Sequence, residues 1–197
     1  VTIPAGQASA SFSIDAVDDV FFDGTQSVSV LATGAGYIDG SDSLEVTDDE
    51  SAFTALIDDG DAGFAQSGFS YQSNAQVAAA YNGDNYNLRN GDDSDQATWT
   101  FGGLADGAYH VMATWAHQYD NKYNATDSPF AMLDVGGNVL SSVAINQKNA
   151  PSQHEVDGFF WDTLDTVYVA GGQLTVTLGA SAQANKFVVA DAVRIEQ

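Results

Sequence analysis

The chain predicts an all-β fold: a short piece over about residues 1–50, then a longer β-sandwich or jelly roll over 53–197. Three observations predict it. Apolar and polar residues alternate with period two in several segments, as half-buried strands require. Turn dipeptides recur at sandwich-like spacing: Asn90-Gly91, Gly102-Gly103, Asp106-Gly107, Gly136-Gly137, Asp157-Gly158 and Gly171-Gly172. The acidic residues are 23 Asp against 4 Glu, and Asp favours turns and short-reach oxygen coordination where Glu favours helices.

In chain order, Ser9–Ala16 sets Ala10, Phe12, Ile14 and Ala16 against Ser9, Ser11, Ser13 and Asp15. Ser27–Leu31 alternates again through Val28 and Val30. About four short strands are expected here, with acidic groups gathered at their ends. Such a piece exposes an apolar face and open edges unless covered, so residues 1–50 are expected to pack on the second piece or self-associate. In that second piece Ala97, Trp99 and Phe101 alternate with threonines; Tyr109, Val111, Ala113 and Trp115 with His110, Met112 and Thr114; Leu174, Val176 and Leu178 with Thr175 and Thr177. A helical turn near Gln76–Tyr81 is expected, and no long helix. Phe187–Ile195 reads as a closing strand that places Phe187, Val189, Asp191, Val193 and Ile195 on one face.

The formal net charge of −22, from 27 acidic and 5 basic residues, excludes a counterion-releasing basic patch. It disfavours nucleic acid and anionic membranes and favours cations as partners. Without cysteine the chain has neither disulfides nor thiolate metal sites, which suits bacterial export. No run approaches 18 apolar residues. Opening in mid-pattern at Val1-Thr2-Ile3-Pro4-Ala5-Gly6, the sequence is expected to be part of something longer.

Two families share motifs with the chain. Val1-Thr2-Ile3-Pro4-Ala5-Gly6, Val17-Asp18-Asp19 and Val46-Thr47-Asp48-Asp49-Glu50 resemble the C-terminal half of a Calx-beta domain. The resemblance implies a partial immunoglobulin-like sandwich, with Asp18, Asp19, Asp23, Asp48, Asp49 and Glu50 on the family's calcium-binding acidic loops. Gln26 stands where a glutamate is common, which removes one ligand. Further on come Ile57-Asp58-Asp59-Gly60-Asp61-Ala62-Gly63-Phe64, Ala97–Phe101, Gly107–Val111, Ala113-Thr114-Trp115, Asn146-Gln147 and Ala190-Asp191-Ala192-Val193-Arg194-Ile195. In that order they resemble the carbohydrate-binding-module-like domain at the C-terminus of golvesin and of xanthan lyases. This implies a jelly-roll module of secreted bacterial enzymes and surface proteins.

An aspartate on an apolar strand face must be paired, hydrogen-bonded or metal-bound. Asp191 is such a residue, and Asp58, Asp59 and Asp61 are its natural company if the domain's first and last strands are neighbours. Calcium takes six to eight oxygens and would relieve their repulsion. The competing reading has Asp191 accepting from backbone amides, Arg194 or Lys186, while 58–61 forms an Asx-type turn.

A sugar ligand needs an exposed aromatic platform with polar groups beside it. Trp115–Asn124 supplies His117, Tyr119, Asn121, Tyr123 and Asn124; Gln153–Trp161 supplies Trp161; and Tyr81–Asn87 supplies Tyr86. For Trp99, Trp115 and Trp161, core packing is the competing role. Catalysis lacks a motif: His154-Glu155 has no second histidine four residues on, no Gly-x-Ser-x-Gly occurs, and Asp191 has no nominated carboxylate partner. The expected function is a non-catalytic, calcium-stabilised module that binds polysaccharide or another surface polymer for an exported bacterial protein. The alternative is an adhesive or structural module without a sugar ligand.

Overall fold

Fifteen strands and one 3-10 turn organise the described residues, 1–17, 24–47, 53–73, 79–116 and 122–197 of a computed structural model. The chain divides into two units, Val1–Glu50 and Ser51–Gln197.

In the first unit β1 (Gln26–Ala32) pairs antiparallel with β2 (Gly40–Val46), Gln26 opposite Val46 and Ala32 opposite Gly40. The alternating Ser27–Leu31 segment is thus a strand, as expected. Ser9–Ala16 is not: it is irregular, with Phe12 57% and Ile14 58% exposed. Alternation supplies a face but not a partner, and among the described residues no strand offers this segment a ladder.

The second unit contains β3 (Thr54–Ile57), β4 (Phe64–Ser67), β5 (Ser70–Gln72), β6 (Asn85–Arg89), β7 (Gln96–Gly102) and β8 (Gly107–Ala113). It continues through β9 (Ser128–Leu133), β10 (Val139–Ile145), β11 (His154–Val156), β12 (Phe159–Val169), β13 (Gln173–Gly179), β14 (Phe187–Ala190) and β15 (Val193–Glu196). They form two five-stranded sheets, ordered β10-β9-β13-β7-β4 and β11-β12-β8-β15-β3, with a three-stranded sheet β14-β6-β5. This is the jelly-roll sandwich that the alternation predicts.

Its core is the set of alternating inward residues. Trp99, Tyr109, Val111, Phe130, Leu174, Val176, Leu178 and Ile195 are all buried in one cluster. Each fully buried aliphatic side chain contributes roughly 1.5–3 kcal/mol. The β8 residues facing the other way do not simply meet water. Met112 joins Trp161 and Ala192 in a second cluster, against which Leu56, Tyr81, Val156 and Phe159 pack. Part of the β11–β3 sheet is therefore covered on both faces. Asp157-Gly158 joins β11 to β12 with φ of 53° and 83°, a turn that needs two left-handed residues.

The closing strand differs from expectation. It breaks at Asp191-Ala192, between β14, which pairs with β6, and β15, which pairs with both β3 and β8. Two long-range bonds replace the ladder: Trp99 Nε1 donates to the Asp191 carbonyl at 3.1 Å and Thr114 N to that of Ala192 at 3.0 Å. The chain thereby changes sheets at Asp191.

Candidate metal centre and binding cleft

Pairing of β3 with β15 sets Ile57 opposite Val193, so the turn after β3 leaves from beside the break at Asp191. That turn is closed by its own side chains. Asp59 N donates to Asp58 Oδ1 at 2.9 Å, Asp58 N to Asp61 Oδ2 at 3.0 Å, and Asp61 N to the Asp58 carbonyl at 3.0 Å. The Asx-type turn and the acidic cluster are one object. It sits close to strand β7: Gly63 has φ of 104°, its carbonyl accepts from Thr100 N, and a Cβ there would lie 3.0 Å from the Thr100 oxygen. Glycine is required for that approach.

A third segment completes the cluster. In the 3-10 turn Tyr81–Gly83, Asn82 takes φ of 54° and delivers Asp84 beside Asp58 and Asp59. One carboxylate oxygen from each of Asp58, Asp59 and Asp84 lies within 4.8 Å of the others. Asn82 Nδ2 donates to Asp58 Oδ2 at 2.6 Å, Tyr71 Oη to Asp84 Oδ2 at 2.7 Å, and Tyr81 N to Asp191 Oδ2 at 3.3 Å.

These contacts leave acceptors over. Both Asp59 oxygens and Asp191 Oδ1 are buried without a hydrogen-bond partner, although Asp58, Asp59 and Asp191 are only 5%, 4% and 1% exposed. Burial lifts Asp58 above the usual carboxylate range. Burial, then the charges of Asp58, Asp84 and Asp61, pushes Asp59 up to about 7. Asp191 is held well above its usual range, first by burial and then by the charges of Asp58, Asp59 and Asp84. Orphaned, mutually repelling carboxylate oxygens are the donor set a hard divalent cation takes, and Asp58, Asp59 and Asp84, whose oxygens lie within 4.8 Å of one another, fit such an ion. Arg194 and Lys186 do not serve Asp191: Arg194 pairs with Glu196 at 2.7 Å and Lys186 donates to the Lys122 carbonyl at 2.9 Å. Asp61 is exposed and holds the turn. Asp84 was not anticipated; its signal was the acid in Asn82-Gly83-Asp84, a turn tripeptide read only for its aromatic and amide neighbours.

The Tyr81 ring carries the centre toward an open cleft. It packs on Phe159 at 4.7 Å and Trp161 at 5.8 Å between centroids. Phe159 lines a cleft of about 340 Å³ together with Thr114, Trp115, Pro151 and Phe160. Phe160 is 49% exposed, and among the described residues no ionisable side chain lines the walls.

Among the sequence-derived ligand candidates, Trp161 is 1% exposed and presents no ring face. Asn124 is fully buried and ties the chain together, its Nδ2 donating to the Gln147 and Ala116 carbonyls at 3.0 and 3.4 Å. Both belong to the framework, because each side chain is consumed by packing or backbone bonds. Tyr86 is half-buried between Phe64 and Tyr71. Tyr123 is 39% exposed, with Lys122 Nζ 5.6 Å from its ring centre. His117, Tyr119 and Asn121 lie outside the described residues, as do Asp18, Asp19, Asp23, Asp48, Asp49 and Glu50.

Residues 55–197, well over half of the chain, match the family model of the golvesin C-terminal domain. The chain belongs to that family. Of solved structures, the golvesin-type domain is similar to Paenibacillus xanthan lyase, at 26% identity and a TM-score of 0.58 over 72% of this chain. The chain spans only 13% of that lyase. It shares its fold with a family 35 carbohydrate-binding module from Cellvibrio japonicus Abf62, at 14% identity and a TM-score of 0.50 over 73% of this chain and 92% of that one. A family 35 module from Clostridium thermocellum is similar at 15% identity and a TM-score of 0.50, covering 73% and 98%. No curated protein matches the sequence. No described helix is long and apolar enough to cross a membrane.

Proposed function

We propose that the golvesin-type domain is a non-catalytic module that binds polysaccharide, or a related surface polymer, for a larger exported bacterial protein. The observation that carries this is the open cleft with Trp115, Phe159 and Phe160 in its walls. Aromatic walls stack against the C–H faces of pyranose rings, and neighbouring polar groups then fix the hydroxyls. The likeness to carbohydrate-binding modules supports the same reading.

Calcium is the cation proposed for Asp58, Asp59, Asp84 and Asp191. Its contribution is charge neutralisation that holds β3, the Tyr81 turn and the β14–β15 break together. In this reading the first unit is Calx-beta-like, its own acidic loops are further calcium ligands, and its exposed apolar residues serve self-association. Affinity electrophoresis against acidic and neutral polysaccharides tests the binding role. Retention by at least one polymer, weakened by Phe160→Ala with an unchanged melting temperature, is the expected result. Absence of retention on every polymer, with self-association persisting, replaces this reading by an adhesive or structural module.

A further inference from the structure

Composition speaks against an extended basic surface, yet the fold gathers three of the chain's five basic residues in one place. Arg89, the last residue of β6, is the register partner of Phe187 on β14, and its guanidinium lies 5.2 Å from the centre of the Phe187 ring. The segment around Tyr123 also bonds Phe187: Phe187 N donates to the Tyr123 carbonyl at 2.7 Å, and Ala125 N to the Phe187 carbonyl at 2.8 Å. Lys186 Nζ donates to the Lys122 carbonyl at 2.9 Å. Lys122 Nζ stands 5.6 Å from the centre of the exposed Tyr123 ring. Asn124, next in the chain, donates to the Ala116 carbonyl at 3.4 Å, which ties this segment to the cleft wall. Arg194–Glu196 is the one ion pair among the described residues. Arg89, Lys122 and Lys186 thus stand there without a carboxylate partner, in a chain with 27 acidic residues.

Resting on the polysaccharide-binding reading, we propose that Arg89, Lys122, Lys186 and the Tyr123 ring form a subsite for a uronate-bearing polysaccharide. The cations keep donors to spare. Lys186 uses one of its three N–H groups on the Lys122 carbonyl, and Arg89 directs one of its five to Asn185 Oδ1 at 3.4 Å. An ammonium beside an exposed aromatic ring matches an acidic sugar, whose C–H face stacks while its carboxylate pairs. The contacts with Phe187 and the Lys122 carbonyl restrain two of the cations in advance, which lowers the ordering cost of binding. Charge density decides the kind of polymer. A uronate carries one charge per sugar, whereas nucleic acid packs its phosphates closely enough for the surrounding acids to repel it.

Affinity electrophoresis of the full chain in chelator tests this, with polygalacturonate and alginate each set against its methyl ester. Chelator removes calcium bridging between carboxylates, and esterification removes the charge while keeping the sugar backbone. Stronger retention by an acid than by its ester, weakening as salt rises, is the expected result. Lys122→Gln combined with Lys186→Gln should lower retention by the acid at least about threefold, with an unchanged melting temperature. Lys148→Gln, which removes a basic residue outside the patch, should leave that retention as it is. Equal retention by acid and ester, a double variant that binds the acid like the native protein, or an equal loss in Lys148→Gln overturns the subsite. Equally strong retention by single-stranded DNA also overturns it, because the patch is then a general polyanion site. Retention by neither acid while a neutral polymer is retained removes this subsite alone; retention by no polymer removes the polysaccharide reading with it.

Discussion

At the scale of single residues the decisive group is Asp59, whose two oxygens are buried without partners. Asp59→Asn removes a buried charge from a repelling set, so in chelator this variant is expected to melt at a higher temperature than the native protein. It is also expected to lose its response to calcium. The native protein should gain several degrees, since a ligand at 100 times its dissociation constant adds about 2.7 kcal/mol. Scanning calorimetry with and without calcium checks both. The same residue sets a pH dependence. In the cation-free fold Asp59 keeps its proton up to about 7, against a usual value of 3.8. Between those values the folded state binds more protons than the unfolded chain, so stability falls as pH rises from about 4 to 7. Melts in chelator across that window should show the decline, and saturating calcium should remove it, because the ion favours the charged form.

Elements decide how those residues are held. The β3–β4 connection runs so close to β7 that Gly63 has no room for a side chain. Gly63→Ala forces a left-handed alanine against the Thr100 carbonyl and is expected to cost about 1–3 kcal/mol. Urea unfolding measures that loss, and the calcium response should weaken with it, since the same loop carries Asp58 and Asp59. Much of this level was legible in advance. The alternation of β7 named its buried residues correctly, because burial on a sheet follows local periodicity, whereas β8 is buried on both faces, with Met112 covered as well as Tyr109 and Val111. Ser9–Ala16 has the same periodicity without forming a strand, because a ladder also needs a neighbour. The closing segment also read as one strand. Its break depends on Trp99 and Thr114, residues far away in the chain.

For the whole molecule, the golvesin-type unit has its own core drawn from both large sheets. A fragment comprising residues 51–197 is therefore expected to unfold in a single cooperative transition, with calcium raising its midpoint. Circular dichroism melts of the fragment test this, and a broad, non-cooperative melt would refute it. The likeness to modules of nearly the same length supports an independent unit. Tyr81 links the buried acid to the cleft wall: it bonds Asp191 through its backbone and packs on Phe159 through its ring.

The sequence by itself determined the all-β class, the positions of most turns, the inward faces of the long strands and the need of Asp191 for a partner. Those features follow from period-two geometry, turn chemistry and the cost of a charge on an apolar face, all local in origin. Tertiary structure alone decided that Asp84 joins the cluster, that Trp161 and Asn124 are framework and that Phe160 stands open. It also brought Arg89, Lys122 and Lys186 together from three distant segments. Each of these depends on which distant segments are brought together, as when Tyr81 donates to a carboxylate 110 residues away, and such contacts are set by packing rather than by any local pattern.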